Sequence, residues 1–131
     1  MTYDFELSDE LPANPQRVFD AWMSSEDHTA MTGGTAELDP RIGGAFSAWD
    51  GYIVGQTTAL EPGRRIVQSW RTAEFSETEA DSQIEIVLEP VEAGTRITLI
   101  HSTVPDRLRS FQEGGWQTHY FDPMRTYFAA A

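Results

Sequence analysis

The sequence contains no cysteine and no lysine. Without cysteine, disulfides, thiolate zinc sites, iron–sulfur clusters and thiol nucleophiles are excluded. No apolar run approaches the roughly 20 residues needed to span a bilayer. The opening residues, Met1-Thr2-Tyr3-Asp4-Phe5-Glu6, lack the basic and apolar regions of a signal peptide. A cytoplasmic protein is the expectation. Positive charge is scarce as well: nine arginines face 21 acids, for a net charge of -12. Such a surface repels polyphosphate chains and anionic lipids, so neither nucleic acid nor a membrane is an expected partner. Two readings of the missing lysine stay open, a GC-rich genome and a salt-adapted cytoplasm whose proteins stay soluble through acidic surfaces.

What is present suits one domain over residues 1–131. The chain is 40% hydrophobic and 11% aromatic, shows no internal repeat or linker, and is long enough to bury a core without staples. Tyr3, Phe5 and Leu7 alternate with Asp4, Glu6 and Ser8, the pattern of a half-buried strand. Asn14-Pro15 then reads as a helix cap followed by proline at the first helical position. Val18, Phe19 and Trp22 continue that helix to about residue 24. Ser24-Ser25-Glu26-Asp27 starts a second helix, which Gly33-Gly34 ends.

Residues 35–104 read as strands and turns. Asp50-Gly51 predicts a two-residue hairpin between Ala45–Trp49 and Tyr52–Ala59. Glu61-Pro62-Gly63 predicts a β-turn before a strand at Arg65–Arg71. The polar stretch 74–81 reads as a loop. Ile84, Ile86 and Leu88 share one face of a strand at Ser82–Glu89, and Ile97, Leu99 and His101 share one face of the next, Thr95–Thr103. Strands joined by short turns imply an antiparallel meander.

After that the period changes. Trp116, Tyr120, Met124 and Tyr127 fall on one helical stripe, with Phe121 and Phe128 beside it. Gly114-Gly115 marks the expected start of this last helix, and Pro123 predicts a kink or break near 119–123. The expected class is α+β, in β-α-α-β6-α order, with a curved antiparallel sheet covered by the one long helix.

Chemistry-bearing motifs are few. Gly33-Gly34 and Gly43-Gly44 do not fit phosphate-binding loops, and no G-x-S-x-G nucleophile elbow occurs. His28, His101 and His119 lack metal-ligand spacing, so no metal site is expected. His101 reads first as a hydrogen-bonded core histidine and second as a group that orients a ligand or acts as a base. Arg64, Arg65 and Arg71 read first as surface ion pairs and second as contacts for a ligand carboxylate.

Several blocks resemble the family called activator of Hsp90 ATPase homologue 1-like. They are Asn14 to Trp22 (NPQRVFDAW), Gly43-Gly44-Ala45-Phe46, Asp50 to Gly55 (DGYIVG), Glu61 to Arg71 (EPGRRIVQSWR), Gly94 to Leu99 (GTRITL) and Gly114 to Tyr120 (GGWQTHY). They run in order along nearly the whole chain. The resemblance implies the helix-grip fold of the START/Bet v 1-like (SRPBCC) superfamily, with a cavity between the sheet and the C-terminal helix. It also implies three functional classes: a carrier of a small apolar, aromatic or lipid-like molecule, a co-chaperone-like partner of Hsp90, and a polyketide cyclase/aromatase-like enzyme.

The carrier is the first expectation, with no cofactor and no catalytic residues. Its expected ligand-binding residues are Trp116, Tyr120 and Met124 on the last helix and Trp22 on the first. Phe46, Tyr52, Val54 and Trp70 would contribute from the middle strands, and Ile84, Ile86, Leu99 and His101 from the later ones. In the enzyme reading, Tyr120, His101 or Arg71 would orient and protonate a polyketide.

Overall fold

Strand β1 (Thr2–Leu11) runs into two short helices, α1 (Pro15–Met23) and α2 (Ser25–Thr32), in a computed structural model that describes residues 1–130. Six more strands follow: β2 (Glu37–Leu38), β3 (Ala45–Ala48), β4 (Ile53–Glu61), β5 (Arg65–Thr72), β6 (Ser82–Val91) and β7 (Gly94–Pro105). Two π-helical turns, Phe111–Gly115 and Gln117–Phe121, then lead into α3 (Asp122–Ala129). All strands pair antiparallel in one sheet of order β1-β7-β6-β5-β4-β3-β2.

Local chemistry explains the helix boundaries. The Asn14 side chain accepts from the Arg17 amide at 2.8 Å, with Pro15 at the first helical position. The Ser24 hydroxyl accepts from the Asp27 amide at 3.1 Å and starts α2 at once, so the two helices meet at a corner. Val18, Phe19 and Trp22 of α1 are buried against the sheet layer.

Register follows the alternation of apolar residues. Ile84, Ile86 and Leu88 of β6 lie opposite His101, Leu99 and Ile97 of β7, and all six are buried. Gly55 stands where a strand must come close to its neighbour. A Cβ there would lie 1.9 Å from the Ser69 carbonyl oxygen and 2.6 Å from the Phe46 ring, so only glycine fits.

Three features differ from expectation. First, β3 and β4 are joined by four residues, because Ala48 pairs with Ile53. Trp49, Asp50 and Gly51 take positive φ values of 53°, 59° and 88°, a longer left-handed turn than an Asp-Gly hairpin needs. Second, Pro123 breaks nothing. The Asp122 amide bonds back to the Gln117 carbonyl, five residues away, and this widened turn gives the proline ring room where a narrower turn would clash. Third, the wide turn shifts the phase of the stripe. Trp116, Tyr120 and Met124 remain buried, but Phe128 takes the inward position expected of Tyr127. Tyr127 is half-buried and donates its hydroxyl to Asp27 at 2.5 Å.

The terminal segment lies across the sheet and the two short helices. Trp116 packs on Trp70 of β5 and His101 of β7, and Tyr120 packs on Trp22 and His28. Farther along, Arg125 pairs with Asp9 of β1. No helix among the described residues is long and apolar enough to cross a membrane.

Candidate functional site: an aromatic cleft over a sealed polar core

Trp116 and Tyr120 are 3% and 4% exposed, and each is anchored to a buried histidine. The Trp116 indole donates to His101 Nδ1 at 3.1 Å. His101 Nε2 lies 2.9 Å from the Ser82 hydroxyl, which itself donates to the Trp70 carbonyl at 2.6 Å. Ser82 therefore accepts from His101, which fixes the proton on Nε2 and leaves Nδ1 as the acceptor. Burial pushes the His101 pKa down to about 3, so the ring is neutral.

The second anchor has the opposite tautomer. His28 Nδ1 donates to the Trp22 carbonyl at 3.0 Å, and Nε2 accepts the Tyr120 hydroxyl at 3.1 Å. Burial lowers the His28 pKa and raises that of Tyr120. The Trp22 indole continues inward to Gln68 at 3.3 Å, and Gln68 donates to Thr57 at 3.1 Å. Among the described residues no buried side-chain nitrogen or oxygen is left without a partner. These chains position rings; they offer no free group for chemistry.

Above this core lies a cleft of about 640 Å3, bounded by the β3–β4 loop, the first residues of β4, β5 and the two π-helical turns. Its walls include Trp49, Tyr52, Ile53, Trp70, Phe111 and Trp116, with Tyr120 at the floor. Ser110, Glu113, Thr118 and His119 supply the polar rim. His119 meets the Trp49 ring edge-on at 5.4 Å between centroids.

Two local devices shape it. Glu113 and Gly114 leave helical geometry, Gly114 at a φ of 118°, and kink the chain within the first π turn. Across the cleft, Trp49 holds a left-handed φ that a bulky residue adopts only under constraint. The constraint is visible: the Asp50 amide donates to the Thr35 carbonyl at 3.0 Å, and the Thr35 amide donates to the Asp50 carboxylate at 3.1 Å.

Of the twelve expected ligand-binding residues, the structure brings Tyr52, Trp70, Trp116 and Tyr120 together on the cleft. Trp22, Phe46, Ile84, Ile86, Leu99 and Met124 lie in the packed core and not on its wall, because the terminal segment fills the hollow of the sheet at those positions. His101 is fully buried in its hydrogen-bonded chain, the first of its two readings. Val54 is a correction: strand alternation puts Ile53 on the cleft and turns Val54, 41% exposed, to the other face. Trp49, Phe111 and His119 are cleft residues that were not among the expected ligand contacts. Trp49 reads as the end of a strand, and no periodic signal marks Phe111.

Arg65 and Arg71 behave as surface ion pairs. Arg65 bonds Glu85 at 2.5 Å, and Arg71 bonds Asp81 at 2.5 Å while also holding the Ser76 and Glu79 carbonyls. Arg64 is exposed and lines no wall of the cleft. No group of three or more histidine or carboxylate side chains among the described residues could hold a metal ion.

A curved antiparallel sheet that grips a C-terminal helical segment, with a cleft where the two part, defines a helix-grip protein of the START/Bet v 1-like class. Solved structures agree. An HSP90 activator from Plasmodium falciparum superposes with a TM-score of 0.87 at 23% identity, over 97% of this chain and 96% of that one. Ara h 8.0201 superposes with a TM-score of 0.76 at 15% identity over the full length of both. The family profile described as Activator of Hsp90 ATPase homolog 1-like protein matches residues 12–129, and the chain belongs to that family. The Activator of 90 kDa heat shock protein ATPase homolog of Dictyostelium discoideum is 26% identical over 98% of this chain. The match covers only 33% of that relative, so the chain spans about a third of the length of the curated relatives it matches.

Proposed function

We propose that this protein binds a small, largely apolar molecule in the cleft between the β3–β4 loop and the π-helical turns. One observation carries the reading: an open, aromatic-walled space of about 640 Å3, with a few polar groups confined to its rim. Small-molecule sites commonly have this form, with volumes of roughly 300–1,000 Å3. Tyr52, Trp70, Trp116 and Tyr120 would contact the ligand directly. The expected contacts that lie in the packed core, among them Trp22, His101 and Met124, would act by holding those rings in place.

The test is thermal unfolding with a panel of aromatic and aliphatic probes. A bound probe raises the midpoint in proportion to its occupancy. Ser110→Trp, at an exposed wall position, should block the cleft and abolish the rise. Unchanged midpoints across a broad panel contradict the reading.

Family membership favours a second reading, an Hsp90 partner. The relatives' names describe activation of the chaperone's ATPase, but in proteins about three times as long. Titrating the chain into an Hsp90 turnover assay tests this, and unchanged turnover removes it. The cyclase/aromatase reading gains no support from the geometry. His101 and Tyr120 are engaged in internal hydrogen bonds, and Arg71 faces Asp81.

A further inference from the structure

Apart from the His119 imidazole, the charged groups of the cleft are of one sign. Its lining includes no arginine, and the chain has no lysine. Its one carboxylate, Glu113, is exposed at the mouth. A second carboxylate, Glu74, accepts the hydroxyl of Tyr52 at the rim. The arginines of the flanking segments are matched elsewhere: Arg107 to Glu79, Arg71 to Asp81 and Arg109 to Asp106.

The rings are equally informative. An aromatic face attracts a cation through its quadrupole. Among the described residues, arginines already stack on Tyr3, Phe75, Tyr127 and Phe128. None stacks on Trp49, Tyr52, Trp70, Phe111, Trp116 or Tyr120. The rings most open to the cleft, Trp49 and Tyr52, thus carry no cation, while Trp70, Phe111, Trp116 and Tyr120 are packed on one another behind them. Trp49 is presented by a loop held in strained left-handed geometry, a kind of strain that clusters at ligand clamps.

We propose that the cleft selects small organic cations: an aromatic or aliphatic body carrying an alkylated ammonium group, seated against the rings and facing Glu113. The inference rests on the cleft being a ligand site, and deepens that reading by naming the chemical class. A carboxylate-bearing ligand would meet Glu113 and find no arginine in the lining to pair with, and a neutral one would gain only from burial. The overall charge of -12 adds a field that draws cations toward the surface.

Three probes with one shared body test it: naphthylmethyl-trimethylammonium, naphthylmethanol and naphthylacetate, titrated calorimetrically against the full chain. The cation should bind about tenfold tighter than the alcohol, the order expected of a desolvated cation–π contact. The acetate should bind weakest. Two variants locate the preference. Glu113→Gln should narrow the cation-to-alcohol ratio by about threefold or more, and Tyr52→Leu, which removes a wall ring, should weaken the cation about threefold more than it weakens the alcohol.

Equal binding of cation and alcohol, or tighter binding of the acetate, overturns the inference and leaves the apolar-ligand reading standing. A cation preference that both variants retain, or that vanishes in about 0.5 M salt, belongs to the general field of an acidic surface and overturns it as well. If no probe binds, both readings fall.

Discussion

At the residue scale, the two buried histidines decide how the terminal segment is held. Each accepts a hydrogen bond from a ring on that segment, Trp116 on His101 and Tyr120 on His28, and each therefore must be neutral. This has a consequence for acid stability. The folded pKa of His101 lies near 3, below its ordinary value of 6.5, and that of His28 is also lowered. Below pH 6.5 the unfolded chain takes up protons that the folded chain refuses. The His101 contribution is complete above that pH and is lost as pH falls toward 3, with a slope of about 1.4 kcal/mol per pH unit once the unfolded ring is charged. His28 acts in the same direction. Urea unfolding between pH 6.5 and about 5, above the carboxylate range, should show stability falling on acidification. A flat profile there contradicts the neutral, sealed assignment. His101 was legible in the sequence as a core histidine because its strand face is apolar. His28 was not, because its partners Trp22 and Tyr120 lie 6 and 92 residues away and no local pattern joins them.

At the scale of elements, periodicity and turn chemistry marked most of the structure in advance. The Asn14-Pro15 cap, the Ser24 restart, the alternation of Ile84, Ile86 and Leu88, and the Gly114-Gly115 boundary all appear near their expected places. Geometry that depends on hydrogen bonds one residue longer did not. The i to i+5 turn before Pro123 leaves no trace in an apolar pattern read at 3.6 residues per turn, so that pattern puts Tyr127 rather than Phe128 inward. The β3–β4 turn differs for a similar reason, because Asp-Gly signals a tight hairpin whichever loop length tertiary contacts select. The cleft depends on both departures, since one sets Trp49 and Tyr52 and the other sets Trp116 and Tyr120. A direct check is Gly114→Ala. Nothing lies within 4 Å of the added methyl group, so the whole cost is the backbone's φ of 118°. Chemical denaturation should show a loss of about 1–3 kcal/mol. A neutral outcome would mean that the kink within the first π turn relaxes without penalty.

At the scale of the whole molecule, acidity and family set the frame. The net charge of -12 makes self-repulsion a general burden on the folded state. Raising KCl from about 0.1 M to 1 M shortens the Debye length from ~10 Å to ~3 Å and should raise the unfolding midpoint. A rise that continues at higher salt favours the salt-adapted reading of the missing lysine, and a plateau favours genome composition. The fold and family were legible from ordered blocks along the chain. The position of the ligand space was not: the hollow of the sheet is filled by the terminal segment, and the open volume lies at one end of it.

The central claim is that the rings of this end cleft, and not the sealed core beneath, receive a small apolar-bodied ligand. The four indole N–H signals in a 1H–15N spectrum test it most directly. Trp49, Trp70 and Trp116 line the cleft, whereas Trp22 lies in the core with its N–H on Gln68. Titration with a naphthyl probe should move the first three signals saturably and leave Trp22 nearly in place. No movement at all, or movement of Trp22 alone, would contradict the account.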